Sequence, residues 1–182
     1  MFGMKTRTWR GVAFFIALIT TFTPLFSFAS TISSTILGQA QNIQPLYLYI
    51  PSIKLLSNVQ GVGVNEKGNM DVPSGKTTNV GWYKYGVAPG GVGTAVIDAH
   101  NTAAFKTLSK VPLGAEIYVY TSEGKWLKFK VTKAKTYAMK NLSPSTLFAA
   151  TNSRQINLIT CAGQNLGNGE ATHRLIVSAV LS

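Results

Sequence analysis

The chain is poor in acids, histidine and cysteine. Its 182 residues include six carboxylates, two histidines and a single cysteine, Cys161. One cysteine cannot close an internal disulfide, so no disulfide framework stabilises the fold. Calcium needs several oxygen ligands, usually clustered carboxylates, and the six acids are scattered. Two histidines and one cysteine do not make up a structural zinc set. The reading is therefore of a protein with no metal and no cofactor. Ser74-Gly75-Lys76-Thr77 mimics the end of a phosphate-binding loop, but Met70 occupies the position of the required earlier glycine, so nucleotide binding is not expected. Internal repeats are absent. So, after residue 45, are helical stripes longer than about three turns, which excludes an all-helical domain.

What is present begins with a leader. Lys5, Arg7 and Arg10 precede an uncharged run from Gly11 to Ala29. As a helix that run would rise about 28 Å, close to the apolar thickness of a bilayer. Its length suits a signal anchor with the basic end in the cytoplasm. Pro24 and the small-x-small triplet Ser27-Phe28-Ala29 suit a cleaved signal peptide. Either way the rest is exported: membrane-held and single-pass with an anchor, secreted with cleavage. Residues 30–44, rich in Ser, Thr, Gln and Asn, read as a spacer, and residues 45–182 as the folded domain. Three of the seventeen basic residues lie in the leader, so the remainder carries a formal +8. An exported protein of that charge meets anionic lipid or cell wall rather than nucleic acid.

The domain reads as short strands separated by turns. Leu46–Ile50 ends at Pro51. Gly61–Asn65 and Asn69–Val72 flank a turn at Glu66-Lys67-Gly68. Gly93–Ala99 is a buried-type run. Glu116–Thr121 alternates, and Trp126–Thr132 alternates with Leu127, Phe129 and Val131 facing inward. Gln155–Cys161 and Arg174–Leu181 supply two more. Short helices are expected over Thr102–Ser109 and Ser145–Ala150, the second capped by Ser143 with Pro144 in its first turn. The fold class is all-β: a closed or nearly closed barrel with small helical excursions.

Three chemistry-bearing residues sit at strand ends. His100 follows Ala95-Val96-Ile97-Asp98-Ala99, Cys161 follows Asn157-Leu158-Ile159-Thr160, and Arg174 opens the last strand. Reactive groups there sit at a barrel rim, held still yet open to substrate. Each also has a plainer reading. Cys161 is a buried filler, an intermolecular bridge or a working thiol; His100 is a surface or core histidine; Arg174 is solvated. Asp98, two residues before His100, either shares its face and orients it or lies on a turn facing water. His173 points away from Arg174 by alternation and reads as structural or as part of the rim.

Together these residues resemble the sortases. Leu158-Ile159-Thr160-Cys161 followed by Arg174 in Arg174-Leu175-Ile176-Val177-Ser178-Ala179 is similar to the sortase signature, as is His100 closing an apolar strand before Phe105-Lys106-Thr107-Leu108. Tyr49-Ile50-Pro51-Ser52-Ile53 resembles the first barrel strand. Met70-Asp71-Val72-Pro73, Val80-Gly81-Trp82-Tyr83 and Pro89-Gly90 resemble the class E and class F enzymes. The resemblance spans residues 46–181 and implies an eight-stranded barrel with two or three short helices. It also implies a cysteine transpeptidase with hydrolytic capacity. Cys161 would be the nucleophile, His100 its proton partner and Arg174 the oxyanion stabiliser, with Thr160 touching substrate. The implied substrate is a Leu-Pro-x-Thr-Gly-like sorting signal of a surface protein. The implied acceptor is an amine on a peptidoglycan precursor or a pilin lysine. Asp98-Ala99 departs from the Ala-Gly common before the histidine. The residues do not match the Ser-x-Gly-Cys context of L,D-transpeptidases or the cysteine context of papain-like proteases. A non-catalytic surface module that binds wall polymer and keeps Cys161 as core is the competing reading.

Overall fold

In the computed structural model, the structure describes residues 43–66, 68–167 and 170–182. The expected leader, and all but the end of the expected spacer, lie outside them. Alternation builds the first elements. In Glu116–Thr121 (β5), Ile117 and Val119 are fully buried while Tyr118 and Tyr120 point outward. In Trp126–Ala138 (β6), Phe129 and Val131 are buried and the intervening lysines exposed. The other strands are Pro45–Ile50 (β1), Leu55–Val62 (β2), Val80–Tyr83 (β3), Gly93–Asp98 (β4), Arg154–Asn165 (β7) and Ala171–Leu181 (β8).

These eight strands close a barrel in the order β1-β2-β3-β4-β7-β8-β6-β5. The β1–β2 hairpin turns through a short 3₁₀ segment, Pro51–Ile53, which Lys54 closes in the left-handed region at φ 53°. β2–β3 and β4–β7 are parallel and the remaining pairs antiparallel. Inward side chains, including Leu48, Ile97, Phe105, Phe129, Leu158 and Val177, form one aliphatic and aromatic core. Among the described residues, closure leaves no unpaired sheet edge.

Several expectations change. Of the strand foreseen at 61–65, residues 61–62 are the end of the longer β2 and the rest lies beyond it. The hairpin about Glu66-Lys67-Gly68 reduces to one bridge, Val64 with Met70. Val80–Tyr83, noted only as a motif, is a strand. The helix foreseen over Thr102–Ser109 is a series of turns ending in a 3₁₀ turn at Leu108–Lys110. Both Ala103 and Phe105 donate their N–H to the His100 carbonyl, so the bonds follow no single repeating helical pattern, and Phe105 and Leu108 turn into the core. The second helix is a single turn, Pro144–Leu147 (α1). Ser143 does not cap it, because its hydroxyl bonds the hydroxyls of Ser145 and Thr146 at 2.8 and 3.1 Å.

Candidate active site on the outer face of β4, β7 and β8

Two ladders position the site. β7 pairs with β8 so that Cys161 and Arg174 are direct cross-strand partners, and β6 places Tyr137 on the other side of Arg174. The parallel β4–β7 ladder ends at the pair Asp98–Ile159. Beyond it the chains stay tied. Ala99 N–H donates to the Ile159 carbonyl at 3.3 Å, and the Thr160 hydroxyl donates to the Ala99 carbonyl at 2.7 Å. His100 is the next residue after this tie. Of the three residues foreseen at separate strand ends, the ladder brings Cys161 and Arg174 into one row across β7 and β8. Cys161 and Arg174 lie inside their strands, not at the tips.

Face follows from alternation. Val96, Ile159 and Ile176 form a second buried cluster, separate from the barrel interior. Cys161 and Arg174 are in phase with Ile159 and Ile176, so they share this outer face. Met70, Tyr83, Tyr137, Leu142, Leu147 and Phe148 pack against this cluster. The wall at 142–152 is pinned: Asn157 Nδ2 donates to the Leu147 carbonyl at 2.8 Å, and the Thr94 hydroxyl to the Ala149 carbonyl at 2.8 Å. A concavity of about 550 Å³ lined by Val87, Val92, Thr94, Phe148 and Thr151 opens beside that wall. It lies at the start of β4, about 20 Å along the strand from His100.

Cys161 is free and partly exposed, and it belongs to neither buried cluster, which removes the filler reading. Arg174 Nη1 donates to the carbonyls of His173 at 3.1 Å and Ala171 at 3.3 Å, steadying the guanidinium against its own strand. The imidazole of His100 faces Gly75: a β-carbon there would stand 3.5 Å from Cδ2. The loop that mimics a phosphate-loop tail is therefore a cover over His100.

Thr160 does not face substrate. It is 3% exposed, points into the barrel, and its hydroxyl is engaged by Ala99. Its neighbour in sequence, Cys161, takes the opposite face because strand side chains alternate. Asp98 does not lie on a water-facing turn. It is the last residue of β4, paired to both Gly81 and Ile159. Burial pushes its carboxyl up to about 7, against the pull of the Arg174 guanidinium and the Ala99 N–H, both of which favour the charged form. His173 keeps the structural place expected of it, with Nδ1 at 2.8 Å from the Thr172 hydroxyl.

Gly75, Tyr137 and Gly163 were not foreseen at the site. Gly163 sits in a bulge just past Cys161 at φ 76°, where a β-carbon would collide with Thr172 and His173. A glycine inside a strand run is a bulge signal, so this one was detectable.

A family model described as a sortase domain matches residues 48–182. No curated protein sequence matches. Among solved structures, a lid mutant of sortase A from Corynebacterium diphtheriae superposes with TM-score 0.59 at 25% identity, covering 76% of this chain and 71% of that one. Group B Streptococcus pilus island 1 sortase C2 gives 0.57 at 25%, covering 75% and 72%. Sortase C from Clostridium perfringens SM101 gives 0.56 at 22%, covering 75% and 68%, a likeness of fold alone.

Proposed function

The chain belongs to the sortase family, and we propose that it is a cysteine transpeptidase that cleaves a Leu-Pro-x-Thr-Gly-like sorting signal and passes the acyl group to an amine. The observation that carries this reading is the direct pairing of Cys161 with Arg174 beside the strand end bearing His100. The Cys161 thiolate attacks the threonine carbonyl of the signal. Negative charge develops on the carbonyl oxygen, where the permanently charged Arg174 stabilises it. The carbon–nitrogen bond breaks and His100 as imidazolium protonates the departing glycine amine. The resulting thioester is attacked by an incoming amine that gives a proton to His100, and Cys161 is released as thiolate.

The outer face of β4, β7 and β8 offers a path for an extended peptide in this reading. A pentapeptide spans about 17 Å, close to the reach from His100 to the concavity beside Phe148. The acceptor in this reading is a peptidoglycan precursor or a pilin lysine. The apolar leader holds the domain at the outer face of the membrane, where both meet it. The local motifs at 70–73, 80–83 and 89–90 point to class E or F, whereas the solved neighbours named above are classes A and C.

The test is incubation with a panel of Leu-Pro-x-Thr-Gly-like peptides plus amine donors, with ligated product read by mass. Ligation that disappears in Cys161→Ala is expected. Ligation that survives that substitution would end the proposal. Rapid modification of native Cys161 by a thiol reagent separates the enzyme from a non-catalytic wall-binding module.

A further inference from the structure

Past its bulge, the outer face of β6 carries cations that no carboxylate answers. Lys133, Lys135 and Tyr137 take successive outward positions there, opposite Ser178, Ile176 and Arg174 of β8. Both lysines are exposed and Tyr137 is half-buried. Their ammonium groups converge on one ring: Lys135 Nζ stands 5.0 Å and Lys133 Nζ 5.8 Å from the Tyr137 centroid. Among the described residues, Lys84 over Tyr85 is a lysine alone at its ring. The earlier half of β6 is different. Lys128 pairs with Glu116, Lys125 in the preceding turn pairs with Glu123, and Lys130 makes no ion pair but lies opposite Glu116 in the β5–β6 ladder. Lys133 and Lys135 have no ion pair among the described residues, and what faces them on β8 is a serine and an isoleucine. Like charges gathered on one strand face repel, and the face of a ring offsets that only in part. An anion would complete the arrangement.

Its place in the barrel says which anion. Tyr137 is the cross-strand partner of Arg174, and Arg174 is the partner of Cys161. Two strand spacings put the Tyr137 backbone about 10 Å from that of Cys161. β7, which bears Cys161, has β4 on one side and β8 on the other, with β6 beyond β8. In the reading above, the sorting peptide runs over β4 and β7 toward Phe148. The side of Cys161 over β8 and β6 is then left to the second substrate, the incoming amine.

We propose that Lys133 and Lys135 form an acceptor subsite, and that the amine acceptor is a peptide with a carboxylate about three residues from its amine. This rests on the transpeptidase reading. An extended peptide advances about 3.3 Å per residue, so an anion held at the Tyr137 ring lies about three residues from an amine poised at the Cys161 thioester. The carboxylate accepts charge-assisted hydrogen bonds from two ammonium groups already gathered on one ring. The subsite touches neither the sulfur nor the imidazole. It acts by raising the local concentration of one class of amine beside them.

In the experiment the full chain receives one sorting peptide and, in turn, Gly-Gly-Gly-amide, Gly-Gly-Glu-amide or Gly-Gly-Lys-amide as acceptor. Ligated product is read by mass, and consumption of sorting peptide without acceptor reads the first half of the reaction. The glutamate acceptor should exceed the neutral one about fivefold in kcat/KM, through a lower acceptor KM, and the lysine acceptor should fall below both. The ranking should shrink in about 0.5 M salt, which screens exposed charges. In the double variant Lys133→Gln, Lys135→Gln the acceptors should become equal, whereas Lys133→Arg, Lys135→Arg should keep the ranking. The proposal is overturned if the wild-type chain treats the acceptors alike, or if the ranking survives the glutamine variant. It is equally overturned if that variant changes the KM for the sorting peptide instead, or if phosphatidylglycerol vesicles abolish the ranking, since the lysines then serve the other substrate or a lipid surface. Absence of all cleavage ends the transpeptidase reading and this inference with it; cleavage without ranking ends this inference alone.

Discussion

Asp98 is the residue at which this site differs most from what alternation alone would supply. Its folded-state value of about 7 lies above the ordinary 3.8. An acid whose pKa is raised by folding binds its proton more tightly in the folded state. Its contribution is therefore greatest below pH 3.8 and is lost as pH rises through about 7. Asp98→Asn should flatten the pH dependence of stability across that window. At pH 8 it should raise stability by roughly 2–4 kcal/mol, since a tenfold change in proton affinity is worth about 1.4 kcal/mol. Chemical denaturation at pH 5 and pH 8 checks this; equal gains at both values would refute the burial argument. Arg174 admits a sharper substitution. Lysine keeps the charge but loses the planar guanidinium whose Nη1 donates to the Ala171 and His173 carbonyls. Arg174→Lys should lower kcat by about a hundredfold, the scale of losing one oxyanion donor, with little change in melting temperature. Steady-state ligation kinetics read the outcome.

Among the elements, the end of β4 and the loop over it decide where His100 sits. Thr160→Val removes the hydroxyl that ties the Ala99 carbonyl to β7. It should cost about 1–2 kcal/mol of stability and reduce turnover, because His100 is the next residue. Thermal melts and kcat measured on the same sample test both halves. Gly81 of β3 lies against the cover loop: a β-carbon there would stand 2.8 Å from Pro73 Cδ and 3.0 Å from Val62 Cγ1. Gly81→Ala should displace Pro73 and, with it, Gly75 from the His100 ring. Peptide cleavage should fall while Gly75→Ala, whose new atom meets His100 at ordinary contact distance, stays near wild type. Equal activity in the two variants would show that the cover does not position His100. β6 shows how a bulge hides the end of a strand. Its alternation holds to Val131, then a bulge before Lys133 shifts the phase. Past the bulge Lys133, Lys135 and Tyr137 face outward with Ser178, Ile176 and Arg174. Strict alternation in the residues stops at 132, so the expected strand ends there and leaves out Tyr137.

For the whole molecule, closure is the main consequence. β1 completes the cylinder by pairing with both β2 and β5, so local damage there is felt around the barrel. Leu48 is fully buried in β1. Leu48→Ala should cost about 2–5 kcal/mol and lower ligation only through loss of folded protein. Urea unfolding followed by Trp fluorescence and by far-ultraviolet dichroism should give coincident single transitions. Separate transitions would mean the β1 side opens by itself. Closure also sets the outer face of β4, β7 and β8 apart from the aromatic wall over β1, β5 and β6.

Much of this was legible in the chain itself. Alternation in Glu116–Thr121 and Trp126–Thr132 gave strands and inward faces, because the side-chain period of a strand is written directly in the residues. Cys161, His100 and Arg174 were identifiable by type and by the apolar runs beside them. The pairing of Cys161 with Arg174 was not, because register between strands distant in sequence is fixed by the closed ladder rather than by any local pattern. The same holds for Thr160, whose inward direction depends on which face of β7 meets the core. It holds for Asp98, whose carboxyl is raised by what packs around it. It holds for the aromatic wall too, since Tyr47, Tyr49, Tyr118, Tyr120 and Trp126 come from three separate strands and become neighbours only when β1 meets β5.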